Sequence, residues 1–233
     1  MSELDAGGDF RSRECLDLLA EADIVVTNPP FSLFREYVTL LMEQRKKFLI
    51  IGNQNAITYK AIFHFLMRNQ MWLGLTAPKQ FIVPQQLTDR KNTYTRKDGV
   101  AVAKFGNVRW FTNLDYEERH EKLVLAHRYS PEKYPTYDNY DAIEVAKTKN
   151  IPCDYTGIMG VPISFLDSYN PDQFEILDMG HRGAGSYKYR TKIYTIEDAP
   201  NFSDLNATTV YRDSDGHYKN TYFRILVRNR HPQ

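Results

Sequence analysis

Thiols are scarce: Cys15 and Cys153 are the two cysteines in 233 residues. That is too few for a disulfide scaffold, and no Cys/His spacing marks a metal site. The expected setting is a reduced cytoplasm, with no resident metal. An excess of charge is missing too, with 30 basic against 29 acidic side chains and a net charge of +1. The pI is about 7.7. Any nucleic-acid surface must then be a local basic patch on a near-neutral protein. No apolar run is long enough to span a bilayer and no signal peptide is visible, so a membrane is not an expected partner. Repeats and low-complexity tracts are absent as well. Apolar residues make up 42% of the chain, enough for a real core. The length fits one large domain or a domain with an appended lobe.

The most informative stretch runs Asp23-Ile24-Val25-Val26-Thr27-Asn28-Pro29-Pro30-Phe31. Its short β-branched run reads as a buried strand. Two prolines stop it, because proline cannot donate to a sheet ladder. A helix signal begins at Ser32, so Asn28 falls at the carboxyl end of a strand, where open α/β sheets bind ligands. Asn28 offers a carbonyl acceptor and an amide donor. Pro29 has no N–H, but its ring fixes the direction of its carbonyl. Two acceptors held close together suit an exocyclic amino group, whose lone pair they leave free. Phe31 offers a face on which a flat base can stack. The same residues also read as a plain strand end with a Pro-Pro turn and a core Phe.

Around this stretch the periodicity alternates. Residues 12–21 read as a helix capped by Ser12 and 32–44 as one capped by Ser32. Arg45, Lys46 and Lys47 sit where cations favour that second helix's dipole. Phe48–Ile51 is an apolar strand, 56–68 a further helix and Met71–Leu75 a short strand. Strand–helix–strand alternation implies parallel strands covered by helices, a Rossmann-like sheet with the Asn28 strand central. Residues 84–99 read as an exposed polar loop, with Arg90, Lys91, Arg96 and Lys97 around Tyr94. This is either a DNA-contact element or a solvated excursion. Val100–Phe105 and Val108–Thr112 flank Gly106-Asn107, the pattern of a hairpin. From His120 onward the pattern is irregular and tyrosine-rich, and those tyrosines are expected mostly in the core. Residues 180–192 are glycine-rich, basic and aromatic, suited to a phosphate backbone or equally to a surface loop. Residues 186–195 and Tyr222–Val227 read as strands.

Asn28-Pro29-Pro30-Phe31 resembles motif IV of DNA methyltransferases that modify the adenine amino group, and Gly8-Asp9-Phe10 resembles their motif III. The segments beginning at Phe31, Phe48, Trp110 and Gly160 extend the likeness to the EcoRI-type adenine-specific methyltransferases. The resemblance implies S-adenosylmethionine as cofactor, with Asp9 contacting and Phe10 packing against its adenine ring. It implies Asn28, Pro29, Pro30 and Phe31 as the catalytic motif, and double-stranded DNA as the partner. The implied fold is α/β: a partial Rossmann-like methyltransferase sheet over 1–115, with an irregular β-rich lobe over 116–233 for DNA target recognition. The family's glycine-rich cofactor turn has no counterpart before Gly8, so the chain alone is expected to bind the cofactor poorly. A missing N-terminal segment or a second chain is expected to complete it. The glycines of 180–185 are the alternative, permuted source, but a strand rather than a helix is expected after them. Two other functions stay open: an inactive DNA-binding fragment, or a methyltransferase acting on RNA or on protein glutamine.

Overall fold

The computed structural model describes residues 7–88 and 90–233. Most of the loose start expected over 1–8, and Asp89 of the polar stretch, lie outside the described residues. The chain divides into two compact units, one drawn from Met1–Ile57 and Met71–Leu114, the other from Thr58–Gln70 and Asp115–Gln233. It is a mixed α/β protein with several sheets. Among the described residues no helix is long and apolar enough to cross a membrane.

The first unit opens with α1 (Arg13–Glu21), where the Ser12 side chain accepts from the Cys15 N–H as the sequence suggests. Strand β1 (Ile24–Thr27), helix α2 (Phe34–Glu43) and strand β2 (Lys47–Asn53) follow. Then come β3 (Trp72–Leu73), β4 (Gln80–Ile82), β5 (Thr93–Thr95), β6 (Ala101–Lys104) and β7 (Val108–Thr112). One sheet has the order β1-β2-β7-β3. β1 and β2 are parallel, with Thr27 opposite Ile50. β7 is antiparallel to both of its neighbours, so β3 runs in the same direction as β1 and β2. Helix α2 covers the sheet with Phe34, Val38 and Leu41, all buried. Phe34 meets Phe111 with ring centroids 4.9 Å apart. Gly52 makes that contact possible, because a Cβ there would lie 2.4 Å from the Phe34 ring.

Three expectations need correction here. β1 is not central: among the described residues it is the sheet's edge. Val100–Phe105 and Val108–Thr112 do not form a hairpin. β6 pairs with β4 and β5 in a separate three-stranded sheet, while β7 inserts between β2 and β3. Gly106-Asn107 is the crossing point, tied down by the Gln54 N–H, which donates to the Asn107 carbonyl at 2.7 Å. Residues 84–99 are not wholly loop, since β5 lies inside them.

The second unit takes helix α3 (Lys60–Met67) from the middle of the first and packs it against the strand Phe174–Met179. Its strands are β8 (Ile143–Glu144), β9 (Met159–Pro162), β10 (Phe174–Met179), β11 (Val210–Arg212), β12 (Tyr218–Asn220) and β13 (Arg224–Asn229). They form a sheet of order β10-β13-β9-β8 and a β11-β12 hairpin, beside the one-turn helix α4 (Phe202–Leu205). Tyr134, Tyr137, Tyr140 and Tyr194 are buried in this unit's core. Aromatic side chains of this size contribute heavily to core burial. The strand expected over 186–195 is absent: these residues are turns and irregular chain.

Candidate active site

The chain leaves β1 at Thr27 and passes through Asn28, Pro29 and Pro30 into a 3₁₀ turn, Phe31–Leu33. The Pro30 carbonyl accepts the Leu33 N–H at 3.0 Å. Ser32 therefore sits inside the 3₁₀ turn instead of capping a helix, and α2 starts at Phe34 with no side-chain cap. Proline explains the tight turn, since its fixed φ near −65° suits a turn start and it has no N–H to leave unpaired. Pro29 is buried and Asn28 is exposed. Among the described residues neither the Asn28 amide nor the Pro29 carbonyl is hydrogen-bonded to the protein. Two polar groups are thus free at one strand end.

They open onto a cavity of about 590 Å³, which Asp9, Phe10, Thr27, Asn28, Pro29, Pro30 and Tyr37 help to line. That volume lies in the range of small-molecule sites. Val25, Leu33, Leu40 and the α1 residues Leu18 and Leu19 make much of its wall apolar. Phe10 meets Tyr37 edge-on, with centroids 5.0 Å apart at 78°. The Arg11 guanidinium lies 5.4 Å from the Phe10 ring. Arg11 also grips Asp9: Nη2 donates to Oδ2 at 2.9 Å and Nε to Oδ1 at 3.0 Å. Those bonds hold the Asp9 carboxyl down at about 2, so it is ionised at any working pH. Three donors occupy it, counting the Arg11 N–H at 2.9 Å. A carboxylate has about four acceptor positions, so one remains.

The structure therefore brings five of the six expected site residues, Asp9, Phe10, Asn28, Pro29 and Pro30, to one cavity. Phe31 is the exception: it stands just outside the lining and is 40% exposed. Tyr37 and Arg11 were not singled out in the sequence. Tyr37 carries only the apolar spacing of its helix, and nothing local announces the Arg11–Asp9 contact. Lys46 also differs from expectation. Its Nζ donates to the Ala20 and Ala22 carbonyls at 2.8 and 3.0 Å, so it completes α1 as well as following α2. No helix follows Gly180–Gly185; the loop is pinned by Asp178, which accepts from the Ser186 N–H and hydroxyl at 2.8 and 2.7 Å. Asp213, Asp215 and His217 gather ligand atoms within 4.8 Å of one another at the β11-β12 turn. There the Asp213 carboxylate already accepts from two backbone N–H groups and pairs with Lys219 at 3.2 Å, so it serves the turn.

A family model described as "Adenine-specific methyltransferase EcoRI" matches residues 1–230. The chain belongs to that family. It is similar to the type II methyltransferase M.EcoRI of Escherichia coli, 43% identical over 240 residues, covering 100% of this chain and 65% of that protein. It is also similar to M.MpnI of Mycoplasma pneumoniae, 43% identical over 182 residues, covering 75% of this chain and 57% of the relative. M.MgeORF184P of Mycoplasma genitalium is 41% identical over 184 residues, with 76% and 58% covered. The chain thus spans less than two thirds of the length of these curated relatives, 65%, 57% and 58% in turn. No solved structure matches.

Proposed function

We propose that this chain carries the target-base pocket and the adenine end of the cofactor site of an adenine-specific DNA methyltransferase of restriction–modification type. The reaction is transfer of a methyl group from S-adenosylmethionine to the exocyclic amino group of adenine in duplex DNA. The observation that carries this reading is the pair of unpartnered acceptors, Asn28 Oδ1 and the Pro29 carbonyl, on a cavity shared with Asp9 and Phe10. The family supports it, and the co-directional β1 and β2 with α2 on their face support a Rossmann-like core.

S-adenosylmethionine supplies the methyl group when bound. The cavity fits its adenine end, with Phe10 and Tyr37 as apolar surface and the spare Asp9 acceptor for an amino group. No lining residue is basic, so among the described residues nothing on the wall neutralises the carboxylate of its methionine end. Asn28 and Pro29 accept the two amino protons of a flipped adenine and leave its lone pair free. Phe31, exposed beside them, stacks on the base. Neither Asn28 nor Pro29 titrates, so rate comes from orientation and from fixed dipoles placed where positive charge develops on nitrogen. The second unit, with its exposed Tyr187 and Tyr222 and basic 180–192 loop, is the target-recognition lobe in this reading.

The test is methyl transfer to duplex DNA, RNA and peptide glutamine in parallel, with cofactor binding followed by calorimetry. In a full-length enzyme of this family that carries this chain, transfer to DNA and to neither RNA nor peptide is the expected result, while the chain by itself is expected to transfer little. Losing one preorganised contact costs about 10²–10³ in rate. In that full-length enzyme Asn28→Ala is therefore expected to lose about that much while DNA affinity, supplied mostly by phosphates, holds. Normal methylation by this variant removes Asn28 from the catalytic role.

A further inference from the structure

A second concavity, of about 560 Å³, lies in the first unit and belongs to no part of the base pocket. Lys79, Lys104 and Arg109 line it with Gly106, and no carboxylate does. Long-range pairing assembles it. Gln80 at the start of β4 lies opposite Lys104 at the end of β6, which brings Lys79 and Lys104 to one corner of the three-stranded sheet. The Phe105 N–H donates to the Lys79 carbonyl at 3.2 Å and closes that corner. The Lys104 ammonium stands 4.8 Å from the Tyr94 ring, a contact that orders the side chain and leaves its charge intact. Among the described residues neither lysine has a carboxylate within salt-bridge distance. The Gly106 N–H donates to no protein group there either. Two uncompensated ammonium groups and a backbone N–H around one hollow are donors without an acceptor, the complement of a phosphate.

The hollow also lies at the right end of the sheet. Arg109 on β7 pairs with Gly52, one residue before the end of β2, while Thr27 at the end of β1 pairs with Ile50. The Arg109 backbone and Asn28 therefore share the carboxyl end of β1 and β2, two strand spacings or ~10 Å apart. One DNA strand advances ~3.4 Å per nucleotide, so this span is about three nucleotides.

We propose that Lys79, Lys104 and the Gly106 N–H form a phosphate clamp for the DNA backbone, flanking the nucleotide flipped toward Asn28. The clamp rests on the DNA reading above and deepens it. It holds the duplex in register and reads no base, because its groups meet phosphate oxygens only.

The experiment is fluorescence anisotropy with labelled duplexes of two unrelated sequences, titrated with the full chain across a range of salt concentrations. Each lost phosphate contact reduces the slope of log affinity against log salt by about 1. Lys79→Ala and Lys104→Ala are each expected to weaken both duplexes to the same extent and to flatten the slope by about that amount. Lys79→Arg, which keeps the charge, is expected to retain the slope. Both lysines are exposed, so unchanged circular dichroism and melting are expected alongside. Normal binding by the parent chain with unchanged slopes in both alanine variants overturns the clamp alone. A loss confined to one of the two sequences overturns it as well. Absence of DNA binding by the parent chain at low salt overturns the DNA reading and the clamp together.

Discussion

At the scale of the residue, His120 is the titrating group with the clearest consequence. Its Nε2 lies 2.9 Å from Asp115 Oδ2 and its Nδ1 3.2 Å from Asp172 Oδ2. Hydrogen bonds donated to those two carboxylates, Asp115 first, raise its pKa above the ordinary 6.5. The protonated ring is therefore favoured in the folded chain. Its stabilising contribution is complete below the unfolded value and fades as pH rises through the higher folded one. The ring is exposed, so the effect is modest and salt-sensitive. NMR titration of the His120 ring is expected to show a midpoint above 6.5. Melting of the parent chain is expected to decline across that window relative to His120→Asn, and parallel pH profiles would remove the carboxylate pair as its partner.

At the scale of the element, β1 is the exposed liability. Its Ile24 and Val26 are 50% and 66% exposed, and among the described residues nothing pairs along its outer side. A β-branched edge strand with an open ladder is a template for another strand. The chain is therefore expected to self-associate at micromolar concentration and higher salt. Val26→Lys is expected to reduce that association while leaving the melting point within about 0.5 kcal/mol equivalent, as surface changes usually do. Sedimentation velocity reads the difference. A parent chain that stays monomeric throughout overturns the edge as an association site.

At the scale of the whole molecule, the second unit is tied together by a largely buried ion pair. Arg224 Nη2 donates to Glu144 Oε1 at 2.7 Å and Nε to Oε2 at 3.0 Å, tying β13 to β8 across the sheet. The side chains are 12% and 6% exposed. The Tyr137 hydroxyl donates to the same carboxylate, and burial raises that phenol well above its usual range, so it stays a donor. Removing one partner strands the other charge, which typically costs about 3–5 kcal/mol. Arg224→Met is expected to lose about that much in denaturant unfolding. Pairing it with Glu144→Leu is expected to recover most of the loss, since both charges then leave together. If the single variant is as stable as the parent, the pair is solvated rather than buried.

Local chemistry was legible in the sequence wherever its cause lay within a few residues. The Ser12 cap, the end of β1 at Pro29, and the placing of Asn28 at a strand's carboxyl end each follow from a side chain or ring acting on its own backbone. The convergence of Asp9 and Phe10 with Asn28 was legible through the ordered motifs alone. Pairing between distant segments was not. Gly106-Asn107 has the local look of a hairpin, yet β6 finds partners in β4 and β5, and β7 finds β2 and β3. No local signal separates these outcomes, because one strand face satisfies its ladder equally well with any complementary neighbour. Helix α3 likewise has an ordinary apolar stripe and joins the second unit because β10 covers it. Sequence by itself determined the α/β class, the strand end at Asn28 and Pro29, and the family. Only the tertiary structure decided that β1 stands at an edge, that Arg11 holds Asp9, and that Lys79 and Lys104 share one hollow, because each depends on contacts that chain-local preferences do not encode.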